Sequence, residues 1–166
     1  MRTGRRPAPP TPLEGRGEGV EFVGGGTSED GRGSWRNWVL VTRDEGRALG
    51  YFQATVREPE ACTIAYVLSP AQWGHGHARE ASVALISHLF ESYDVPSVEA
   101  YIDTRNEASI RLVKSLGLVC MRTIHGADEF KGSSSAEHVF SVLRSAWDPT
   151  PTDARSEEHT SELQSQ

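Results

Sequence analysis

Gln72-Trp73-Gly74-His75-Gly76-His77-Ala78-Arg79-Glu80-Ala81 lies between a strand-like run, Cys62 to Leu68, and a helix-like run, Ala78 to Phe90. A strand, a glycine-rich turn and a helix start together can hold an anion. Glycines let the backbone come close, and the first amides of a helix point at the guest. Phosphate is the natural ligand of such a turn. Two glycines one residue apart also serve in plain chain reversals, so the surrounding pattern has to decide.

Working outward, the helix passes a wheel test. Ala78, Ala81, Leu85, Ile86, Leu89 and Tyr93 fall in one arc, with Glu80, Ser87 and Glu91 opposite, as expected for a helix lying on a sheet. Upstream, Trp38 to Thr42 and Ala48 to Arg57 alternate around the turn signal Asp44-Glu45-Gly46 and read as a hairpin. Cys62 to Leu68 is a third antiparallel strand, closed by Ser69-Pro70. Downstream, Val98, Ala100 and Ile102 alternate in a strand from Ser97 to Ile102, which the crossover rule makes parallel to Cys62–Leu68. A second helix follows Asn106, with Ile110, Val113 and Leu116 on one face and Gly117 closing it. Leu118 to Ile124 and Glu137 to Leu143 read as the last strands, joined by a polar loop. The expected order is β, β, β, loop, α, β, α, β, β.

The ends differ from this middle. Residues 1–33, with Arg5 to Pro10, Gly15 to Gly19 and Gly24-Gly25-Gly26, read as a disordered or atypical segment in which only Val20 to Val23 has a weak tendency to pair. The domain is expected over residues 34–148 and a disordered tail over 149–166. Within that tail 155–166 matches a translated sequencing adapter. The adapter-like stretch contributes one Arg and three Glu, a net −2, so the chain's formal −6 becomes −4 without it. That acidic balance argues against a nucleic-acid partner held by bulk charge. No apolar run approaches the ~20 residues of a membrane span, and the start lacks a signal peptide, so a cytoplasmic location is expected. Cys62 and Cys120 have no zinc spacing and read as small buried residues, and no metal is expected.

Two signatures carry a resemblance. Trp73-Gly-His-Gly-His-Ala-Arg-Glu-Ala81 has the form aromatic, Gly, any residue, Gly, then a small residue and Glu-Ala. Asp103-Thr-Arg-Asn106-Glu-Ala-Ser109 is followed by Leu116-Gly117-Leu118. Both occur in order at strand-to-helix junctions. Over residues 37 to 146 the chain resembles the GNAT acetyltransferase superfamily, in particular the branch of ribosomal-protein N-terminal acetyltransferases. The resemblance implies an α/β fold with a mixed, mostly antiparallel sheet, splayed central strands and flanking helices, incomplete at the N-terminus. It implies acetyl-CoA as donor and an amine-bearing small molecule or protein N-terminus as acceptor, by direct transfer.

The cofactor-binding residues implied are Gln72, Trp73, Gly74, His75, Gly76, His77, Ala78 and Arg79, with the backbone amides over Gly74 to Ala78 holding the pyrophosphate, then the edges of Val67 and Leu68 for the pantetheine, and Asn106 for the cofactor's amide or the acceptor end of the cleft. Backbone binding requires neither imidazole, while a guanidinium at Arg79 suits phosphate. Two departures stand out. The family's N-terminal strand and helix pair are replaced by the Pro/Gly-rich segment. The family's tyrosine on the second helix aligns with Val113, which leaves Ser109 to protonate the leaving thiolate. Glu99 and Tyr66, on the splayed strands, complete the catalytic candidates. A catalytically impaired acyl-CoA-binding or sensing module of the same fold is the alternative. A P-loop lacks its Gly-Lys-Ser/Thr, and a dinucleotide fold lacks its acidic residue.

Overall fold

A computed structural model describes residues 18–42, 44–69, 76–126 and 135–149. Seven strands and two helices follow in the order β1 (Glu18–Thr27), β2 (Ser34–Thr42), β3 (Ala48–Val56), β4 (Cys62–Leu68), α1 (His77–Ser92), β5 (Ser97–Asp103), α2 (Glu107–Ser115), β6 (Val119–His125) and β7 (Ala136–Leu143). They form one sheet ordered β1-β2-β3-β4-β5-β7-β6. Among the described residues β4 and β5 are the parallel pair, which follows from the helical crossover between them.

The first strand corrects the reading of the N-terminal segment. β1 pairs antiparallel with β2 from Glu18↔Thr42 to Thr27↔Ser34, well beyond the weak tendency of Val20 to Val23. Its glycines are not a sign of slack chain. A Cβ on Gly26 would lie 2.3 Å from the Trp35 ring, and one on Gly25 would lie 2.5 Å from the Trp35 carbonyl. The neighbouring strand comes so close that only glycine fits. Part of the segment read as atypical thus forms an edge strand of the sheet. It meets β2 through a tight turn in which Ser28 N–H donates to the Gly33 carbonyl at 2.7 Å and Gly31 takes a left-handed φ of 69°.

Alternation along the strands divides the sheet into two unlike faces. Trp38, Phe52, Ile64, Val98, Ala100 and Phe140 share one core with Leu85, Ile86 and Leu89 of α1 and with Val113 of α2. The tertiary contacts of the helices lie on that side, among them Trp38 edge-on to His88 and Arg36 donating to the Tyr93 hydroxyl at 3.2 Å. The other face carries Trp35, Tyr51, Val67 and Tyr101, each at least 38% exposed. Among the described residues no helix covers it. The α1 wheel holds for Ala81, Leu85, Ile86 and Leu89, but burial also takes in Ser82, His88 and Phe90.

Arg144, in the turn after β7, clasps the end of α1. Its guanidinium donates to the carbonyls of Phe90, Tyr93 and Val95 and stacks over the Phe90 ring at 5.2 Å. These are the last carbonyls of the helix and its exit, which have no partner within the helix. The cysteines separate. Cys62 is fully buried, which pushes its thiol up to about 12, whereas Cys120 is exposed, contrary to expectation. It lies on β6, the edge of the sheet, where nearly every residue meets solvent.

Candidate active site

The site begins where a ladder stops. β4 and β5 pair at Cys62↔Val98, Thr63↔Glu99 and Ile64↔Ala100, and no further. Both strands continue past this point, β4 to Leu68 on the arm of β3 and β5 to Asp103 on the arm of β7. The central strands thus part, as the resemblance implied. A cavity of about 850 Å³ opens between them on the helical face, with Tyr66 to Leu68 as its floor and the start of α1 and one side of α2 as its walls.

The backbone register decides which groups face the gap. Ser69 N–H donates to the Leu49 carbonyl at 3.0 Å, and Tyr51 stands opposite Val67. Hydrogen-bonded pairs alternate along an antiparallel ladder, so Val67 directs its N–H and C=O at β3, while Tyr66 and Leu68 aim theirs at the gap. Tyr66, Val67 and Leu68 all line the cavity, and of their backbone groups those of Tyr66 and Leu68 face the gap. The Val67 side chain points the other way and is 66% exposed. Gly50 makes the arrangement possible, since a Cβ there would lie 2.6 Å from the Val67 carbonyl oxygen.

The helix start has the expected form. Gly76 caps α1 in the left-handed region at φ 79°, no side chain caps the helix, and Glu80 N–H closes the first turn on the Gly76 carbonyl at 3.1 Å. A helix begun this way directs its first amides, those of Ala78 and Arg79 included, toward whatever sits in front. Gly76, Ala78 and Arg79 line the cavity, and His77 is the first helical residue. Gln72, Trp73, Gly74 and His75 lie outside the described residues. Arg79 Nη2 donates to the Ser115 carbonyl at 3.4 Å, which ties the two helix walls together.

On α2, Asn106 has a job that its spacing explains. Its Oδ1 accepts from the Ser109 amide at 3.1 Å, a helix cap of the Asn-x-x-Ser kind. Asp103 braces the same turn, accepting from the Arg105 amide at 2.8 Å and from its guanidinium at 2.9 and 2.7 Å, which holds its carboxyl at about 2. Asn106 and Ser109 both line the cavity. Val113, aligned with the family's tyrosine, is fully buried, and the residue that reaches the cavity is its neighbour Leu112. Neither can give a proton.

Tyr66 can. Its hydroxyl donates across the gap to the Ser109 carbonyl at 3.4 Å, and burial pushes its pKa up, so it stays protonated at neutral pH. Tyr66 and Ser109 are thus brought together, while Glu99 is not. It stands on the uncovered face, half-buried, with the Tyr101 hydroxyl 3.4 Å from its Oε2. It is level with Thr63, where the ladder is still closed.

Residues 8–119 match the family described as "Acetyltransferase (GNAT) domain", and the chain belongs to that family. Among its relatives, a protein named YkkB of Bacillus subtilis (strain 168) is 30% identical over 90 residues, 52% of either chain. The uncharacterized N-acetyltransferase p20 of Bacillus licheniformis is 26% identical over 68% of this chain and 64% of its own. The chain thus spans between about half and two thirds of the length of these relatives. Among solved structures, the ribosomal-protein-S5-alanine acetyltransferase of Vibrio fischeri superposes with a TM-score of 0.62 at 23% identity, over 69% of this chain and 64% of that one. At that identity the likeness concerns the fold. The match from residue 8 takes in β1, in agreement with its place in the sheet.

Proposed function

We propose that this chain is an acetyl-CoA-dependent N-acetyltransferase that moves an acetyl group directly to a primary amine. The observation that carries the reading is the place of the cavity: it opens where the β4–β5 ladder ends, with the side-chain-free cap of α1 at its mouth. An extended thioester arm with amide groups fits a strand edge, and a pyrophosphate fits a helix start. The residues present suit that guest, because the walls carry Arg79, Arg111 and Lys114 and none of the described lining residues is acidic.

In the transfer the amine nitrogen bonds to the acetyl carbon, the carbon–sulfur bond breaks and the sulfur leaves as a thiolate that needs a proton. Tyr66 supplies it in this reading, its hydroxyl held by the Ser109 carbonyl, and the Ser109 hydroxyl is the second candidate. The acceptor ammonium has to lose a proton first. Glu99, beside the closed part of the ladder on the uncovered face, is the base candidate for an acceptor that approaches from that face, the side opposite the cofactor walls. The acceptor is a small amine or a protein N-terminus. The name of the Vibrio fischeri neighbour supports including an alanine-led peptide among the candidates.

The deciding assay mixes the protein with acetyl-CoA and a panel of alanine-led peptides and small amines and follows free thiol. Acceptor-dependent release is expected, reduced about a hundredfold in Tyr66→Phe and less in Ser109→Ala. Coenzyme A binding without any acceptor-dependent release would mean a binding module, and no binding would remove both readings.

A further inference from the structure

On the uncovered face the two sides of the parting differ in chemistry. Beyond the last ladder pair, Ile64↔Ala100, alternation puts Ala65 and Val67 of β4 along one side of the opening and Tyr101 and Asp103 of β5 along the other, with Glu99 just inside the closed end. The β4 side is apolar. Ala65 and Val67 are exposed, and the register sets Tyr51 opposite Val67 and Val39 opposite Tyr51, a cross-strand row whose ring is 40% exposed. The Tyr51 hydroxyl is turned to Gln53, to which it donates at 3.4 Å. The β5 side is polar, and most of its charge is already engaged. Asp103 accepts from the Arg105 guanidinium at 2.9 and 2.7 Å. Arg122, reaching across from β6, donates to the Tyr101 hydroxyl at 3.4 Å, and that hydroxyl donates to Glu99 at 3.4 Å. Glu137 lies opposite Asp103, one strand farther from the opening. Among the described carboxylates at the opening, Glu99 is therefore the one held by a neutral hydroxyl and able to receive a cation, while Arg122 beside it repels a second.

We propose that the acceptor is a monoamine whose apolar body, such as an aromatic ring, lies against Val67 and Tyr51 while its ammonium meets Glu99. The proposal rests on the acetyltransferase reading, with approach from the uncovered face, and narrows the class of acceptor. One seat for a cation beside an apolar wall matches one ammonium on an apolar group. A peptide fits that wall poorly, because every residue brings an amide that needs a partner. A polyamine would set its further ammonium groups against apolar side chains or next to Arg122. The transfer itself is unchanged: the ammonium and acetyl-CoA give the N-acetylated amine, coenzyme A as free thiol and one proton, which leaves through Glu99. The neutral product no longer pairs with that carboxylate.

Initial rates of free-thiol release by the full chain at saturating acetyl-CoA test it, with phenethylamine, ethylamine, spermidine and an alanine-led peptide as acceptors. The kcat/KM for phenethylamine is expected about tenfold above that for ethylamine, as partial burial of a phenyl ring provides, and above those for spermidine and the peptide. In Tyr51→Ser the ratio of phenethylamine to ethylamine falls toward one, through a rise in the phenethylamine KM, while the ethylamine value changes little. Val67→Ser, at the other exposed member of the row, moves the ratio the same way, and Tyr51→Phe, which keeps the ring, retains it. Spermidine or the peptide outperforming phenethylamine, or equal values for phenethylamine and ethylamine, overturns this proposal and leaves the acetyltransferase reading standing. So does a Tyr51→Ser variant that keeps the ratio, whatever its overall rate. Thiol release with none of the acceptors overturns the acetyltransferase reading itself, and this proposal with it.

Discussion

The two halves of β4 differ in almost every respect although they form one continuous strand. In the first half Cys62 and Ile64 are buried, paired on both sides and part of the core; in the second half Tyr66 to Leu68 keep their β3 partners, lie outside the β5 ladder and form the floor of the cavity. The residue types barely change along the way. What changes is the neighbour: β5 follows β4 for three register positions and then turns with β7 instead. A strand comes to border a cavity when its partner leaves it, without any unusual residue of its own. Stability should therefore reside in the first half and ligand binding in the second, and mutations can separate the two.

Ile64→Ala strikes the paired half hardest. The side chain is 3% exposed inside the main core, so deletion is expected to cost about 2–5 kcal/mol, read from the urea midpoint. Coenzyme A affinity of the folded fraction should barely move. A loss of affinity without a loss of stability would erase the proposed division. Gly50→Ala comes next and tests the junction, since its Cβ would meet the Val67 carbonyl oxygen at 2.6 Å, a backbone atom that cannot swing aside. A cost of about 1–3 kcal/mol is expected, with a fall in coenzyme A affinity because the floor of the cavity shifts. Tyr66→Phe, in the open half, removes one long hydrogen bond at 3.4 Å and should cost about 1 kcal/mol or less in a thermal melt, set against the much larger fall in turnover. A stability loss as large as that of Ile64→Ala would make Tyr66 a core residue and not a proton donor.

The same contrast between local pattern and neighbourhood explains how much was legible in the sequence. From β2 to α2 the period switches cleanly between two and 3.6, and the elements appear where Trp38 to Thr42, Val98 to Ile102 and Ala81 to Leu89 place them. The parting of β4 and β5 came only from the resemblance, because no residue in either strand announces it. β1 was missed because glycine density ordinarily signals loose chain, and the Trp35 contact that requires Gly25 and Gly26 is a tertiary fact. The Arg144 clasp was invisible for the same reason, although a guanidinium some fifty residues from its carbonyls leaves no local trace. Asn-x-x-Ser could have been recognised as a helix cap from its spacing alone, and the cap accounts for the Asn106 contact with Ser109. Assigning the gap-facing groups to Tyr66 and Leu68 instead of Val67 needed the register, which a single sequence does not contain.

Val67→Ala sharpens that assignment with the smallest effect. The side chain is 66% exposed on the uncovered face, and its backbone groups are directed at Tyr51 of β3. Trimming it removes little buried surface and lowers strand propensity slightly, so a cost of about 0.5 kcal/mol is expected from the urea midpoint. Coenzyme A affinity should be unchanged, because the edge offered to the ligand is made of the backbone of the residues on either side. If affinity fell while stability held, the ligand would be reading the Val67 side chain through the parting of the strands. The cofactor and acceptor would then share the uncovered face, contrary to the approach from opposite sides assigned here.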